Sequence, residues 1–204
     1  MQMTGIGVYN FIELVSKYPE TKFSTIVDNK KSIVKFNEAS KKSRIKASLW
    51  LDINNGNNRT GRSATNEAAL LYRDIHQSSN LIVKGLHVYD GHIRDSDINI
   101  RKENCDLQFE KVIELKEEIE SLGIEVKTIV AGGTPTFPIH SKRDNIEVSP
   151  GTSLLWDERY GELFKDLNFL HAGVLVGSII SRPSEDIICL NFGHKSVASE
   201  MEFP

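Results

Sequence analysis

The sequence has no apolar run long enough to cross a lipid bilayer. Its longest one, AGVLVGSII at residues 172–180, is less than half of the roughly 20 apolar residues that a membrane-spanning helix needs. The first residues, MQMTGIGVYNF, also lack the basic segment and the apolar core of a secretory signal. We therefore predict no contact with membranes and a cytoplasmic location.

Positive charge is not in excess either. The 204 residues include 25 Lys and Arg against 28 Asp and Glu, which gives a net charge of -3, and no basic stripe runs along the chain. Because nucleic-acid-binding domains usually carry such a stripe, we predict no nucleic-acid partner. Cysteine is scarce as well. Cys105 and Cys189 lie far apart and form no metal or redox motif, as is typical of a reducing compartment.

The sequence does contain an alternation of strand-like and helix-like segments. Short, nearly continuous apolar runs predict buried strands at 22–28, 45–53, 80–89, 124–130 and 144–151. Apolar residues at helical spacing predict helices at 8–18, 30–41, from Ser63 through Ile75, and at 101–122. Asp28 and Ser63 are the predicted N-caps of two of these helices.

The repeated order of strand and helix predicts a parallel sheet in an α/β fold. Five strand units are too few to close an eight-stranded barrel, whereas an open sheet can be built from five. After residue 167 the pattern changes, and HAGVLVGSIISRP and EDIICLNFG predict antiparallel strands joined at 183–186. We predict an α/β domain at 1–167 and the beginning of a β-rich domain at 168–204. The chain starts on a helix and offers no natural ending, so we expect an internal piece of a longer protein.

Polar, glycine-rich segments follow the predicted strands: NNGNNRTG, YDGH, GGTPT and SPGT. In parallel sheets and barrels these positions share the carboxyl edge, where sites are usually found. The first segment lies in DINNGNNRTG, which starts like a calcium loop. Its Gly comes one place early and Ser63 stands where a bidentate Glu is required, so we reject calcium. The segment is either a solvated Asn-Gly loop or a loop that directs Arg59 into the cleft.

HVYDGH places two imidazoles and a carboxylate at the end of a strand. His87, Asp90 and His92, with Asp95 as a further ligand, are of the types that bind zinc or manganese. The alternative is a loop whose polar groups bind water or one another. If the segment is extended, His87 and Tyr89 point to the same side of the sheet.

GGTPT lacks the GKS or GKT of a P-loop. A pair of glycines can still let backbone amides approach an anion, with the Thr134 hydroxyl as a further donor. SPGT repeats this chemistry after the next strand. Two such loops after neighbouring strands resemble the phosphate sites of many barrels. The alternative is two turns that need Gly for positive φ. GHK at 193–195 is interpreted in its simplest form as a solvated lysine.

Taken together and in order, the motifs resemble one family. LDINNGNNRTG, KGLHVYDGHIRDS, VAGGTPTFP, EVSPGT, SRP and GHKSVASE resemble the alanine racemase-like (fold type III) pyridoxal-phosphate enzymes, in their D-threonine aldolase and D-serine dehydratase branch. The resemblance extends from about residue 22 to the end of the chain. It implies a partial (β/α)8 TIM-type barrel, comprising about the last five βα units, followed by the start of a C-terminal β domain.

The resemblance also implies roles for single residues. Arg59 matches the Arg that contacts the phenolic oxygen of the cofactor, and Tyr89 takes the place of the side chain that stacks on the pyridine ring. Ser149 stands where racemases place an Arg facing the pyridine nitrogen. His194 falls near the strand that contributes to the partner subunit's site. The residues that match the phosphate-binding loops are Gly132, Gly133, Thr134, Gly151 and Thr152.

Two features of the family are missing from this sequence. The lysine that forms the Schiff base lies in a PHxKTHK-like segment on the first barrel strand, and no such segment occurs here. The branch also binds a divalent metal, Mn or Zn, through residues near its C-terminus, and that region does not occur here either. We therefore expect neither a catalytic lysine nor a metal site in this chain.

The resemblance implies a pyridoxal-phosphate-dependent lyase that acts on D-3-hydroxy amino acids and is D-threonine aldolase-like. It also implies a homodimer for the full-length protein and a small D-amino acid as substrate. We expect this chain alone to be inactive. The alternatives within the family are D-serine dehydratase and amino-acid racemase. Those outside it are a metal-dependent TIM-barrel hydrolase and a non-catalytic fragment that binds a phosphate ligand.

Overall fold

The computed structural model describes residues 2–197 of the chain. Strands and helices alternate through most of it, as the sequence predicts. The strands are β1 Thr25–Val27, β2 Ala47–Asn54, β3 Arg62–Ser63, β4 Leu81–Val88, β5 Ile129–Ala131, β6 Ile146–Val148, β7 Ile179–Ser184 and β8 Ile187–Leu190. The helices are α1 Gly7–Lys17, α2 Lys30–Ser43, α3 Asn66–Gln77, α4 Ile98–Ser121, α5 Phe137–His140 and α6 Glu158–Leu163, with a 3-10 turn at Thr152–Leu154.

The first six strands form one parallel sheet in the order β1-β2-β4-β5-β6, with the two-residue β3 paired to β2. The sheet does not close, and β1 and β6 are its edges among the described residues. This is the partial barrel that the sequence predicts. The carboxyl ends of all its strands lie at one edge, so the segments that follow β2, β4, β5 and β6 are brought together there.

Helices α1 to α4 contact one another in sequence order and form one layer against the sheet. Alternate residues of β2, namely Leu49, Leu51 and Ile53, face that layer and are almost fully buried. Each helix supplies an apolar stripe to the same core, including Phe11, Phe36, Tyr72 and Phe109. Trp50 and Asp52 alternate with the core residues of β2 and lie on the opposite face, which lines the interior of a (β/α)8 barrel.

Two predicted helix caps are wrong. The side chain of Asn29, not Asp28, caps α2 by accepting from the amide of Ser32 at 2.9 Å. Asp28 instead accepts from the amide of Gly61 at 3.2 Å, so it ties β1 to the loop after β2. Helix α3 begins after Thr65, whereas the predicted cap Ser63 lies in β3. Both errors arise because a nearby polar residue competes for the same role, and tertiary contacts decide between them.

The fourth predicted strand is much shorter than its apolar pattern. Residues 124–130 are predicted as a strand, yet β5 begins only at Ile129. Ile124 and Val126 are nevertheless buried in the main core. Their apolar side chains thus reflect packing against the helices rather than pairing within the sheet, a distinction that hydrophobicity alone does not make.

The chain divides into two compact units, the first ending at Gly151 and the second beginning at Thr152. This division comes before the predicted domain boundary at 167/168. In the second unit Trp156, Phe164 and Leu167 form a small apolar cluster, and Trp156 also packs on Phe169 at 5.1 Å between ring centroids. Later in the second unit β7 and β8 pair as the predicted antiparallel hairpin.

No helix in the described part of the chain is long and apolar enough to cross a membrane.

Candidate functional site

The first element of the site is a carboxylate–imidazole pair on the face of the sheet opposite the helices. Asp52 of β2 and His87 of β4 are direct partners in the parallel register. Asp52 Oδ1 lies 2.7 Å from His87 Nδ1, and because a carboxylate only accepts, Nδ1 carries the proton. The Asp52 side chain is 3% exposed and that of His87 is 23% exposed. The sequence places both residues at strand ends but does not pair them.

The second element is Tyr89, the residue directly after β4. The guanidinium carbon of Arg59 lies 4.2 Å from the centroid of its ring, a cation–π contact. Gly133 packs against the same ring so closely that a Cβ there would lie 3.1 Å from Tyr89 Cε2. A Cβ on Gly91 would lie 2.2 Å from the Tyr89 hydroxyl oxygen. Two glycines and one arginine thus enclose this ring, and the structure brings the predicted site residues Arg59, Tyr89 and Gly133 together.

The loop that carries Arg59 is ordered by its own asparagines. The side-chain oxygen of Asn54 accepts from the amides of Gly56 and Asn58 at 3.1 and 3.0 Å. The side-chain nitrogen of Asn54 donates to Asn58 Oδ1 at 2.9 Å. These bonds satisfy the amides of Gly56 and Asn58 within the loop itself.

Asp28 fixes the far end of this loop through the amide of Gly61. Burial works to raise the pKa of the Asp28 carboxyl. Hydrogen bonds from the side chains of Gln2 and Asn29 and from Gly61 outweigh it, so the pKa is lowered from its usual value. A second support lies below the loop, where His92 Nε2 is 2.6 Å from Gln108 Oε1. A Cβ on Gly56 would meet both of these side-chain atoms, at 2.8 and 3.0 Å.

The third element is the glycine-rich segment after β5. The amide of Gly132 donates to Val88 O at 3.1 Å, and that of Gly133 donates to Asp90 Oδ1 and Thr136 Oγ1, both at 3.0 Å. Both amides of the glycine pair are therefore used inside the protein. An anion at this segment would therefore have to be contacted by groups other than these two amides. The predicted cradle, in which the glycine amides themselves approach the anion, differs in this respect.

Behind this segment lies a buried polar network centred on Asp90. Its Oδ1 accepts from Thr136 Oγ1 at 2.6 Å, and its Oδ2 lies 2.8 Å from His140 Nε2. Cys105 Sγ lies 3.3 Å from the same imidazole nitrogen. Burial and the nearby Asp90 carboxylate raise the pKa of the Cys105 thiol to about 12, which excludes it as a thiolate nucleophile near neutral pH.

The predicted metal set of His87, Asp90 and His92 is not brought together. His87 binds Asp52, Asp90 turns into the buried network, and His92 binds Gln108. Among the residues that the structure describes, the group with metal-binding side chains close together is Asp90, Cys105 and His140. Its members are buried and hydrogen-bonded to one another, and Arg143 places a guanidinium nitrogen 3.9 Å from Cys105 Sγ. Asp90 Oδ2 and Cys105 Sγ lie 2.8 and 3.3 Å from His140 Nε2.

The remaining predicted site residues follow three different strands: Thr134 follows β5, Ser149, Gly151 and Thr152 follow β6, and His194 follows β8. Thr134 is buried. Ser149 is exposed, and its hydroxyl donates to Gly132 O at 3.0 Å, which links the two predicted phosphate loops. Gly151 ends the first unit. Thr152 and His194 belong to the second unit. Thr152 begins the 3-10 turn and His194 is exposed in a turn after β8.

Comparison with known families agrees with this architecture. The sequence profile of the family described as "Alanine racemase, N-terminal domain" matches residues 7–158, more than half of the chain. The chain belongs to this family. The predicted resemblance to alanine racemase-like enzymes and the predicted partial α/β barrel are both confirmed. A comparison with curated proteins finds no match.

Three solved structures show how much of the fold is shared. A D-threonine aldolase from Filomicrobium marinum covers 97% of this chain with a TM-score of 0.88 and 23% identity, and the match spans 53% of that protein. An alanine racemase of Clostridium difficile 630 in complex with cycloserine covers 79% of this chain with a TM-score of 0.64 and 18% identity, and the match spans 43% of that protein. D-threo-3-hydroxyaspartate dehydratase from Delftia sp. HT23 covers 74% of this chain with a TM-score of 0.64 and 17% identity, and the match spans 41% of that protein. The chain thus spans about half or less of the length of these proteins.

Proposed function

We propose that the chain is the cofactor-clamping part of a pyridoxal-phosphate-dependent lyase that acts on D-3-hydroxy amino acids. The observation that carries the proposal is the arrangement around Tyr89. Arg59 covers the ring at 4.2 Å and Gly133 packs against it, although the three residues come from segments after three different strands. A solvated loop would not require such close packing, whereas a planar, anionic ligand needs an aromatic face, a guanidinium and a glycine-lined approach.

Two further observations fit a bound cofactor. Gly91 and Gly133 make room for the Tyr89 ring, because a Cβ on either glycine would lie only 2.2 or 3.1 Å from it, so the ring is held in one position for stacking. On the same face of the sheet, Asp52 Oδ2 is buried without a hydrogen-bond partner among the described residues, which leaves one polar atom unsatisfied. Since the amides of Gly132 and Gly133 are used internally, we assign the phosphate contacts to Thr134, Gly151 and Thr152.

Pyridoxal phosphate, when bound, supplies an electron sink that stabilises a carbanion, while protein groups choose the bond that breaks. In this chain Arg59 would bind the phenolic oxygen, and Tyr89 would hold the plane of the ring. Ser149 would face the ring nitrogen and cannot supply the positive charge that racemases place there. This favours a lyase over a racemase.

The chain has no lysine in the family's cofactor-anchoring motif, so we propose that it binds the cofactor without a covalent bond and has no lyase activity by itself. Treatment with pyridoxal phosphate and then borohydride should leave no stoichiometric adduct on a single lysine in the mass spectrum. One fully modified lysine, with a stable imine absorbance before reduction, would contradict the proposal that the cofactor binds without a covalent bond.

The binding part of the proposal is tested with pyridoxamine 5'-phosphate, which carries an amine and so cannot form an imine with surface lysines. We expect saturable binding to the parent chain. Thr134→Ala should weaken it by about 1 kcal/mol through the loss of one hydroxyl contact, and Arg59→Ala by about 1.5 to 3 kcal/mol through the loss of a charged one. Binding that is equal in all three chains would show that the site lies elsewhere.

A dehydratase is the second candidate, because the fold also matches a dehydratase whose name specifies a 3-hydroxy amino acid. The two reactions are separated by their products from D-threonine in the full-length protein. Cleavage of the Cα–Cβ bond gives glycine and acetaldehyde, whereas dehydration gives a 2-oxo acid and ammonia. For that full-length protein we also propose a homodimer with His194 at the subunit boundary, a divalent metal, Mn or Zn, and a cytoplasmic location.

A further inference from the structure

The Gly133–Thr136 turn is held from behind by groups that no ligand would touch. Thr136 Oγ1 donates to Asp90 Oδ1 at 2.6 Å and accepts from the amide of Gly133 at 3.0 Å. The same amide also reaches Asp90 Oδ1 at 3.0 Å. Asp90, Gly133 and Thr136 thus form a closed triangle of hydrogen bonds, and all three residues are buried.

This triangle fixes the backbone of the glycine segment. The carbonyl of Gly133 accepts from the amides of Thr136 and Phe137 at 3.2 and 2.9 Å, which makes a tight turn. Gly132 adopts a φ of +86°, and a Cβ there would lie 3.0 Å from the His140 ring and 3.2 Å from Thr136 Oγ1. The turn is therefore packed on one side against Thr136 and His140 and on the other against Tyr89.

His140 completes the support. Its Nε2 donates to Asp90 Oδ2 at 2.8 Å, and its ring packs edge-on against Phe109 with the centroids 4.9 Å apart. Its Nδ1 is buried and has no hydrogen-bond partner among the described residues, so a proton there would be unsatisfied. The imidazole is therefore held with its proton on Nε2, and Asp90 accepts from Gly133, Thr136 and His140 and, more weakly, from the Cys105 thiol at 3.9 Å.

We propose that Asp90 and Thr136 are positioning residues for the phosphate loop. Resting on the function proposed above, they set the backbone shape of segment 132–136 that presents Thr134 to the phosphate of the ligand. They do so without touching it. Asp90 also follows Tyr89 directly in sequence, so one buried carboxylate connects the ring clamp to the phosphate loop.

If Asp90 acted only through its charge, its replacement would change the affinity for a phosphate in the opposite direction. A buried negative charge behind an anion site opposes anion binding, so removal of the charge alone would strengthen the binding of a phosphate. If Asp90 acts as a positioning group, its replacement weakens that binding instead. The sign of the change therefore separates the two roles.

The test compares pyridoxamine 5'-phosphate with pyridoxamine, which lacks the phosphate, and uses the ratio of the two dissociation constants as its readout. Thr136→Val removes the hydroxyl at nearly constant shape and charge, and Thr136→Ser retains it. We expect Thr136→Val to lower the preference for the phosphate form by about fivefold or more, the size of one lost hydrogen bond, and Thr136→Ser to restore it. Asp74→Asn, a change at a surface carboxylate paired with Lys30, is the control and should bind as the parent does.

The outcomes are distinct. If the parent prefers the phosphate form and folded Thr136→Val prefers it equally, or loses affinity for both ligands equally, the inference is overturned while the proposed function stands. If the parent shows no preference for the phosphate form, both this inference and the proposed function are contradicted. Should Thr136→Val not fold, Asp90→Asn decides. A lower preference for the phosphate form supports positioning, and an unchanged or higher preference overturns it.

Discussion

The guanidinium of Arg59 lies over the ring of Tyr89 at 4.2 Å, although the two residues follow different strands of the sheet. The contact depends on the asparagine-rich loop after β2, which turns Arg59 back across the carboxyl edge. It also depends on Gly133, which packs against the ring. The geometry of the proposed clamp therefore requires three separate segments to keep their positions at the same time.

Gly133→Ala should disturb the clamp directly. The added Cβ would lie 3.1 Å from Tyr89 Cε2, closer than ordinary van der Waals contact, so the ring must shift. We expect weaker binding of pyridoxamine 5'-phosphate and a loss of about 1 to 3 kcal/mol in the free energy of unfolding. Gly7→Ala in α1 is the control, because its Cβ would meet Met3 only at 3.6 Å. An unchanged affinity in Gly133→Ala would show that Tyr89 does not contact the ligand.

The Asp52–His87 pair should be visible as an energetic coupling. In a double-mutant cycle of Asp52→Asn and His87→Asn, we expect a coupling free energy of about 1 kcal/mol or more at neutral pH, because one buried hydrogen bond joins the two side chains. Nitrogen NMR of the His87 ring should also show the proton on Nδ1 in the parent. Additive effects of the two changes would mean that the pair does not form in solution.

Stability should depend on the ionisation of Asp28. Its folded-state pKa is lowered below the usual 3.8, so the stabilisation is present above the unfolded-state value and disappears as pH falls through the lower folded-state value. We expect the difference in free energy of unfolding between the parent and Asp28→Asn to be largest at neutral pH. It should shrink below about pH 4 as the unfolded-state carboxyl takes up its proton. Chemical denaturation at several pH values measures this, and a difference that does not change with pH contradicts it.

The Cys105 thiol should be inert in the native chain. Burial and the neighbouring Asp90 carboxylate raise its pKa to about 12, so almost no thiolate is present at pH 8. In a Cys189→Ser variant we expect no rapid reaction with a thiol reagent until denaturant is added. Rapid native reaction of that variant would mean that the network around His140 is open.

The sequence predicts the alternation of strands and helices and the parallel sheet from apolar periodicity, and it predicts glycine-rich loops at the carboxyl edge because they follow the strands. It does not predict which polar side chains pair. Asp90 was a candidate metal ligand beside His87 and His92, yet it turns away from both to bind Thr136 and His140. Thr136 lies in the segment interpreted for Gly132, Gly133 and Thr134, and His140 follows it. Nothing in their spacing reveals a partner distant in the chain.

The register between β2 and β4 explains why the sequence does not predict the Asp52–His87 pair. Asp52 and His87 are each recognisable as polar residues near strand ends, but their pairing depends on the exact alignment of β2 with β4. That alignment includes an irregularity between Leu49 and Trp50. A shift of one residue in β4 would turn His87 to the helix-covered face and away from Asp52. Hydrophobic patterns identify the strands and leave such shifts open.

The most direct test of the central claim is the dissociation constant of pyridoxamine 5'-phosphate, measured for the parent chain, for Arg59→Ala and for Arg62→Ala. Arg62 follows in the same region but pairs with Glu67 on the surface, so it controls for the loss of a positive charge. We predict saturable one-to-one binding, weakened by about tenfold or more in Arg59→Ala and by less than about twofold in Arg62→Ala. Absent binding, or equal losses in the two variants, would contradict the assignment of this edge of the sheet as a cofactor clamp.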